Sequence, residues 1–200
     1  DRSTSWLPDY EPGVGAVYLK LGTDGPWITE ESITLVADFQ VMGADSNDWL
    51  GRSIDYAGDV NGDGHDDIVV SARSAAFRDT PQNGAAYVIY GRDDEGLADL
   101  DLDDYALDPE QGFAITGDRW DYVGLSVDSA GDFNGDGFDD VIIGSGHPFV
   151  TQNGEKGTTA VIFGSAEAPA DALNINTLTP AQGFTIRGLD RDETALASVS

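Results

Sequence analysis

Two short acidic segments of the chain carry oxygen-bearing side chains at alternate positions. Residues 59–67 (the first acidic loop) and residues 132–140 (the second acidic loop) share the pattern Asp-x-Asn-x-Asp-Gly-x-x-Asp. Calcium prefers six to eight oxygen ligands at about 2.3–2.6 Å, and alternate side chains of a tightly wound loop can point inward together. The spacing therefore predicts two calcium sites, one in each loop.

The predicted ligands of each site are three alternating side chains, one main-chain carbonyl and a closing carboxylate. In the first acidic loop they are Asp59, Asn61, Asp63, the carbonyl of His65, and Asp67. In the second acidic loop they are Asp132, Asn134, Asp136, the carbonyl of Phe138, and Asp140. A glycine at the sixth position permits the sharp turn that brings the seventh carbonyl toward the ion. The alternative is a tight turn whose acids only face water, and the presence of two copies in register favours calcium.

Both loops begin like EF-hand loops but end differently. An EF-hand has a glutamate at position twelve and a helix after the loop. Position twelve is Val70 in one loop and Ile143 in the other, within the β-branched runs 68–70 and 141–143. Such runs are typical of strands. Each acidic loop is therefore predicted to join two strands of a hairpin, with the ninth residue as the closing ligand.

The similarity between the loops is part of a longer internal repeat of about 71–73 residues. Each period holds four short runs rich in Val, Ile, Tyr and Phe, bounded by Gly, Asp and Asn. They are 50–57, 67–72, 85–90 and 112–116 in one period, and 123–130, 140–144, 158–163 and 183–187 in the next. Four strands per period predict an all-β fold, a partial β-propeller of four-stranded antiparallel blades with calcium-binding hairpin loops.

The repeat also predicts how the chain is divided. Residues 1–49 are assigned to the second half of a preceding blade, and residues 195–200 to the first strand of a following blade. Residues 50–122 form the first repeat, with calcium loop 59–67, and residues 123–194 form the second repeat, with calcium loop 132–140. The connections 92–110 and 165–181 are assigned no strand, and residues 97–107 hold at most a short helical turn.

Propellers contain roughly four to eight blades. We therefore expect the chain to be an excerpt of a longer protein, or its copies to self-associate through their open blade edges.

These repeats resemble a known family. Residues 50–53 and 123–126, each followed by an acidic loop, resemble the FG-GAP repeats of the integrin alpha-subunit β-propeller and of bacterial secreted relatives. The second half of that signature is less well matched, in residues 71–73 and 144–148, and residues 195–198 lack its glycine. The resemblance implies that each loop joins the innermost strand of a blade to its second strand. It also implies a secreted or cell-surface protein, with a protein or glycan ligand on the cell surface or matrix.

Bulk composition excludes several classes of partner. Thirty-seven acidic residues against ten basic ones give a formal charge of −27, which repels nucleic acids and anionic lipids and attracts cations. There is no cysteine, so disulfides and thiol chemistry are excluded. No apolar run approaches the length of a membrane span.

No catalytic constellation is evident, and the chain is predicted not to be an enzyme. Residues 144–147, Gly-Ser-Gly-His, lack the Gly-x-Ser-x-Gly of a nucleophile elbow. Trp49, Trp120 and Tyr122 precede the inner strands and could bind a glycan or a protein, although packing between blades is the favoured interpretation. The leading hypothesis is a structural and adhesion module. The alternatives are an accessory propeller of an extracellular polysaccharide-active enzyme and a lectin-like domain.

Overall fold

The computed structural model of the chain describes residues 14–19, 38–45, 47–77, 80, 82–92, 99–102, 107–146 and 157–188. These residues form twelve β-strands: β1 Ala16–Leu19, β2 Phe39–Met42, β3 Leu50–Gly58, β4 Asp67–Ala72, β5 Ala85–Ile89, β6 Leu100–Asp101, β7 Gly112–Thr116, β8 Ser126–Gly131, β9 Asp140–Ser145, β10 Thr158–Ile162, β11 Leu173–Asn174 and β12 Gly183–Arg187. In this part of the chain no helix is long and apolar enough to cross a membrane. The predicted strand at 195–200 lies outside the described residues.

The strands form three sheets. The N-terminal sheet has the order β1-β2-β6, the central sheet β11-β7-β5-β4-β3, and the C-terminal sheet β12-β10-β9-β8. In the central sheet β3, β4, β5 and β7 pair antiparallel in that order, and in the C-terminal sheet so do β8, β9, β10 and β12. The predicted all-β fold with four-stranded antiparallel sheets is therefore confirmed. The predicted boundaries of the repeats stay predictions.

The hydrophobic cores lie between neighbouring sheets. Successive residues of a strand point to opposite faces, so Val69 and Val88 belong to the core shared with the C-terminal sheet. Their neighbours Val70 and Tyr87 belong to the core shared with the N-terminal sheet. Burial on both faces explains why these strands read as almost continuous apolar runs.

Two short strands correct the prediction for the connections. β6 pairs parallel with β2, through Val41 and Leu100, and β11 pairs parallel with β7, through Ile115 and Leu173. Leu100 and Leu173 lie 73 residues apart, so they are equivalent in the repeat. The connection of each repeat thus returns to the preceding sheet and pairs with its outermost strand. The expectation that these connections contain no strand was wrong, because two residues are too few for an alternating pattern to show.

Candidate metal sites

The acidic loops lie at equivalent places in the two sheets. The first acidic loop joins β3 to β4, and the second joins β8 to β9, with a register irregularity in each pair just before the loop. Gly64 and Gly137, the sixth residues, have φ angles of 90° and 96°. L side chains rarely adopt this left-handed region, so the turn requires glycine at this position.

The alternating side chains of the first acidic loop are turned toward its interior. The amide of Asp63 donates to both Asp59 Oδ1 (3.0 Å) and Asn61 Oδ1 (2.9 Å). The amide of Gly64 donates to Asp59 Oδ2 at 2.9 Å, and that of His65 to Asp63 Oδ1 at 2.9 Å. Since a single amide serves oxygens of the first and third positions, these oxygens lie on the same side of the turn.

The second acidic loop repeats this arrangement. The amide of Asp136 donates to Asp132 Oδ1 (3.0 Å) and to Asn134 Oδ1 (2.8 Å). Gly137 donates to Asp132 Oδ2 at 3.0 Å, and Phe138 to Asp136 Oδ1 at 3.1 Å. The two sequences therefore dictate one local geometry, in spite of different residues at the second and seventh positions.

The closing carboxylate of the first loop is buried and bonded to the backbone on both sides. Asp67 is 0% exposed; its Oδ2 accepts from the amide of Val60 at 2.9 Å and its Oδ1 from that of Gly91 at 2.8 Å. Burial raises the pKa of Asp67 to about 6, and the charges of Asp63 and Asp59 add to that rise, although the two amides oppose it.

Asp140 has the same role in the second loop. Its Oδ2 accepts from the amides of Phe133 (3.0 Å) and Asn134 (3.3 Å), and its Oδ1 from Gly164 (2.9 Å). Burial raises its pKa, three amides oppose the rise, and the charge of Asp136 adds to it. Each closing aspartate thus ties its loop to the end of the third strand of the same sheet. The sequence pattern did not predict this role.

The donor set of each loop fits a calcium ion chemically. It consists of three carboxylates and one amide oxygen, the hard oxygen donors that calcium prefers. The carboxylates lie close enough that their charges raise the pKa of Asp67 and Asp140, a repulsion that a divalent cation would offset. Across the described residues, however, no three Asp, Glu, His or Cys side chains are gathered as a ready ligand group. The predicted ligands, including the carbonyls of His65 and Phe138, stay predictions.

The residue before each closing aspartate also makes contacts that the pattern did not predict. Asp139 links the two loops: its Oδ2 accepts from the amide of Asp59 at 2.9 Å, and its own amide donates to the Asp59 carbonyl at 3.2 Å. Asp66, its equivalent, accepts from the hydroxyl of Tyr56 at 2.6 Å. The recurrence of an aspartate at position eight in both loops was the signal that could have identified these residues.

Aromatic side chains lie at the opposite end of the inner strands from the loops. Trp49 is 46% exposed and Trp120 is 37% exposed, so packing between blades, the favoured interpretation, is wrong for both. Tyr122 is buried and donates to Gln82 Oε1 at 2.6 Å. Trp49, Trp120 and Tyr122 all have positive φ angles, of 60°, 75° and 50°. Bulky residues rarely adopt this conformation, so the turns hold the two tryptophans outward at some cost in backbone strain.

Comparison with known proteins identifies the repeats. The FG-GAP repeat family matches residues 53–89 and 123–162, so the chain contains two FG-GAP repeats, and the antiparallel four-strand sets of the central and C-terminal sheets have the architecture of propeller blades. The chain is 29% identical over 140 residues to integrin alpha-PS3 of Drosophila melanogaster, covering 70% of this chain and 11% of that protein. It is 35% identical over 111 residues to phosphatidylinositol-glycan-specific phospholipase D of Rattus norvegicus, covering 54% of this chain and 12% of that protein.

The mouse phospholipase D of the same name is 32% identical over 139 residues, 67% of this chain and 16% of its own length. The alignments thus span 11–16% of the length of these relatives. The predicted resemblance to the integrin alpha subunit is confirmed. These animal relatives give no support to the bacterial side of that resemblance.

Proposed function

We propose that the chain is a calcium-binding propeller segment of a secreted or cell-surface protein, acting as a structural and adhesion module. The observation that supports this proposal most directly is the repeated inward arrangement of Asp59, Asn61 and Asp63, which recurs 73 residues later. Oxygen donors at the first, third and fifth positions, followed by a glycine turn, are the donor pattern of calcium loops.

Each ion would be held by the three alternating side chains, the carbonyl of the seventh residue and the closing aspartate. The backbone hydrogen bonds of Asp67 and Asp140 do not prevent this role, because both oxygens of Asp67 and Oδ1 of Asp140 each accept from one amide and keep a second lone pair. Binding would neutralise charge that the fold gathers in one place and would hold the hairpin tip in shape. Calcium is therefore expected to stabilise the fold rather than to take part in a reaction.

Calcium titration followed by melting tests the proposal. Extracellular modules bind calcium with Kd values of about 10⁻⁴–10⁻³ M, so each site would stabilise the fold by about 1.4–2.7 kcal/mol at ten to a hundred times Kd. Asp63→Asn and Asp136→Asn should each remove about half of the calcium-dependent shift, and the double variant all of it. Asp66→Asn is the matched control, because it removes an equal charge from the loop without removing a predicted ligand. A melting temperature indifferent to both calcium and chelator would contradict the proposal.

The extracellular, non-catalytic part of the proposal is supported by the integrin alpha relative. The alternative, an accessory propeller of an extracellular enzyme, is supported by the relatives named as phospholipase D. Under both, the chain itself performs no chemistry. Purified chain should therefore release nothing from a glycosylphosphatidylinositol-anchored protein in the presence of calcium. Release that survives repurification would show that the chain is catalytic.

A lectin-like function has one specific observation in its favour, the outward tryptophan at each of two equivalent turns. Exposed aromatic rings suit the apolar face of a sugar, and an acidic surface admits neutral ligands more readily than anionic ones. The acids that flank Trp120 in the sequence, Asp118 and Asp121, accept from the side-chain amides of Asn174 (3.1 Å) and Asn176 (2.6 Å), and the guanidinium of Arg119 lies 5.0 Å from the centroid of the Trp120 ring. Neutral oligosaccharides on a glycan array, with calcium present, should bind the native chain and not Trp120→Ala. Failure of the native chain to bind any of them would exclude this function.

A further inference from the structure

Three described asparagines are each followed by a glycine, in residues 61–62, 83–84 and 134–135. Asparagine is especially reactive in this pair, because glycine has no side chain to shield its amide nitrogen from the carboxamide carbon of the preceding residue. A fourth pair, 153–154, lies outside the described residues. The three described pairs share this local chemistry but lie in different surroundings.

The pair 83–84 is held inside the fold. Asn83 is 2% exposed; its Oδ1 accepts from the amide of Phe77 at 3.0 Å, and its Nδ2 donates to Thr116 Oγ1 at 2.9 Å. The Gly84 amide is also engaged, since it donates to the Ala75 carbonyl at 3.2 Å. Movement of this side chain toward the glycine nitrogen would leave buried polar groups without partners, which is costly.

In the two acidic loops, by contrast, the bonds that the structure describes for each asparagine side chain stay within its own loop. Asn61 Oδ1 accepts from the amide of Asp63 at 2.9 Å, and its Nδ2 donates to Asp63 Oδ2 at 2.8 Å. The equivalent bonds between Asn134 and Asp136 are 2.8 and 2.7 Å long. The glycines that follow both asparagines are exposed. Opening a hairpin tip therefore frees either carboxamide without disturbing the core, and such local opening costs much less than global unfolding.

A further bond keeps the reactive nitrogen of the second acidic loop protonated. The amide of Gly135 donates to Asp132 Oδ1 at 2.7 Å. An amide that donates to an anion gives up its proton less readily, and the nitrogen must lose that proton to act as a nucleophile. The hydrogen-bonded loop thus disfavours reaction at Asn134, whereas an opened loop permits it.

We propose that Asn61 and Asn134 are modification sites, at which opening of the loop leads to spontaneous deamidation and bound calcium slows it. The amide nitrogen of the glycine loses its proton to solvent and bonds to the asparagine Cγ. The Cγ–Nδ2 bond breaks, and Nδ2 takes up a proton from solvent and leaves as ammonia. Water then adds to the cyclic imide and breaks one of its two ring C–N bonds, giving aspartate or isoaspartate. The part played by calcium rests on the proposed function, whereas the location of the sites does not.

The products would disrupt the loop in which they form. At either asparagine the Nδ2 donor is replaced by a carboxylate oxygen, so the bond to the neighbouring aspartate becomes a repulsion between like charges. Isoaspartate also lengthens the main chain by a carbon atom, which moves the following oxygens out of the spacing that calcium loops use. A loop that has lost its ion would therefore be converted with time into a form that rebinds calcium poorly.

Peptide mapping by mass spectrometry, with enzymatic methylation to detect isoaspartate, tests the proposal on the full chain kept at neutral pH. In chelator, deamidation at Asn61 and Asn134 should be at least about tenfold faster than at Asn83. At ten to a hundred times Kd, calcium should slow the two loop sites by about ten- to a hundredfold, because it stabilises the closed loop by that factor, and should leave Asn83 unchanged. Sodium chloride at equal ionic strength is the control for charge screening.

The unfolded chain is the matched control for the influence of the fold. In concentrated urea the three asparagines should deamidate at similar rates, since each is then followed by an unhindered glycine. In the same urea, Gly135→Ala should slow the reaction at Asn134 alone, because its methyl group hinders the attacking nitrogen. This result would show that the measured reaction passes through the cyclic imide.

Two results would overturn the proposal. The first is an equal rate at Asn61, Asn134 and Asn83 in the folded chain with chelator. The second is a rate at the loop sites that calcium leaves unchanged in a chain whose melting temperature it raises. Fast deamidation of both loop sites in a chain whose melting ignores calcium would instead support the sites and overturn the proposed function.

Discussion

The two acidic loops share a sequence pattern and a set of internal hydrogen bonds but have different neighbours. A Cβ atom on Gly58, just before the first loop, would collide with Asp139, and one on Gly62, within it, would lie 2.5 Å from the ring of Phe138. At the equivalent glycines of the second loop, a Cβ atom would meet nothing within 4 Å. The motif therefore determines the shape of the turn, while the neighbouring repeat determines how deeply that turn is buried.

The difference in neighbours is accompanied by a difference in the electrostatics of the closing aspartates. Burial raises the pKa of both, but Asp67 is opposed by two amides and raised further by two carboxylates. For Asp140, three amides oppose the rise in pKa. The covered loop is thus the one in which an ionised closing residue is less favourable without a bound cation.

The largest expected effect is a pH dependence of stability in the presence of a chelator. Because the pKa of Asp67 in the folded chain, about 6, lies above its ordinary value of 3.8, the folded state favours the protonated form. The resulting stability is fully present below about pH 4 and is lost as pH rises through about 6, amounting to at most about 3 kcal/mol. Urea unfolding between pH 4 and 7 should therefore show a steeper fall for the native chain than for Asp67→Asn.

Asp140→Asn is the matched comparison for this prediction. It should flatten the pH profile less than Asp67→Asn does, because three amides rather than two stabilise the ionised form of Asp140. Equal flattening by the two substitutions would show that the neighbouring repeat does not influence the titration.

A smaller effect should come from adding a methyl group to equivalent glycines. Gly62 and Gly135 have φ angles of 74° and 78°, so Gly→Ala at each should cost about 1 kcal/mol through the backbone. Gly62→Ala should cost about 1 kcal/mol more, because the methyl group meets the ring of Phe138. Chemical denaturation of both variants measures the difference.

A double-mutant cycle identifies the source of that difference. In the background Phe138→Ala, the cost of Gly62→Ala should fall to that of Gly135→Ala. If the extra cost persists without the ring, the neighbouring repeat is not its cause.

The smallest effect should appear in hydrogen exchange on removal of calcium. The amides of Asp63 and Asp136 make equivalent bonds within their loops, but among the residues that the structure describes a neighbouring repeat covers the first loop and not the second. After chelation, the amide of Asp136 should exchange about tenfold faster than that of Asp63, and saturating calcium should narrow the ratio. Equal exchange rates in chelator would show that the cover contributes nothing to the loop.

Much of the fold could be predicted because its strands are long enough to show a pattern. The assignments 67–72 and 183–187 coincide with β4 and β12, and the internal repeat then placed both acidic loops in hairpins. β6 and β11 were not predicted, because a two-residue strand depends on pairing with a strand distant in the sequence and not on a pattern in its own residues.

The features of the candidate site were also predictable only where they depend on residues close in the sequence. Local spacing predicted the inward turn of Asp59, Asn61 and Asp63, which depends on residues within the loop. It did not predict the bonds from Asp67 to Gly91 or from Asp139 to Asp59, which join residues 24 and 80 positions apart. Nor could it predict that Trp49 is exposed, since that depends on the backbone conformation of its turn.

β6 and β11 lie in the connections between the third and fourth strands of their repeats, and each pairs with the outermost strand of the preceding sheet. Each connection therefore contributes to two neighbouring sheets. A single proteolytic cut within residues 165–181 would weaken the pairing of β11 with the central sheet. The same cut would break the covalent link between the third and fourth strands of the C-terminal sheet, β10 and β12. Neighbouring repeats are therefore expected to unfold together rather than one by one. A segment that could be duplicated or deleted without exposing an unpaired strand edge would accordingly begin and end within a blade, and not at the boundary between two blades.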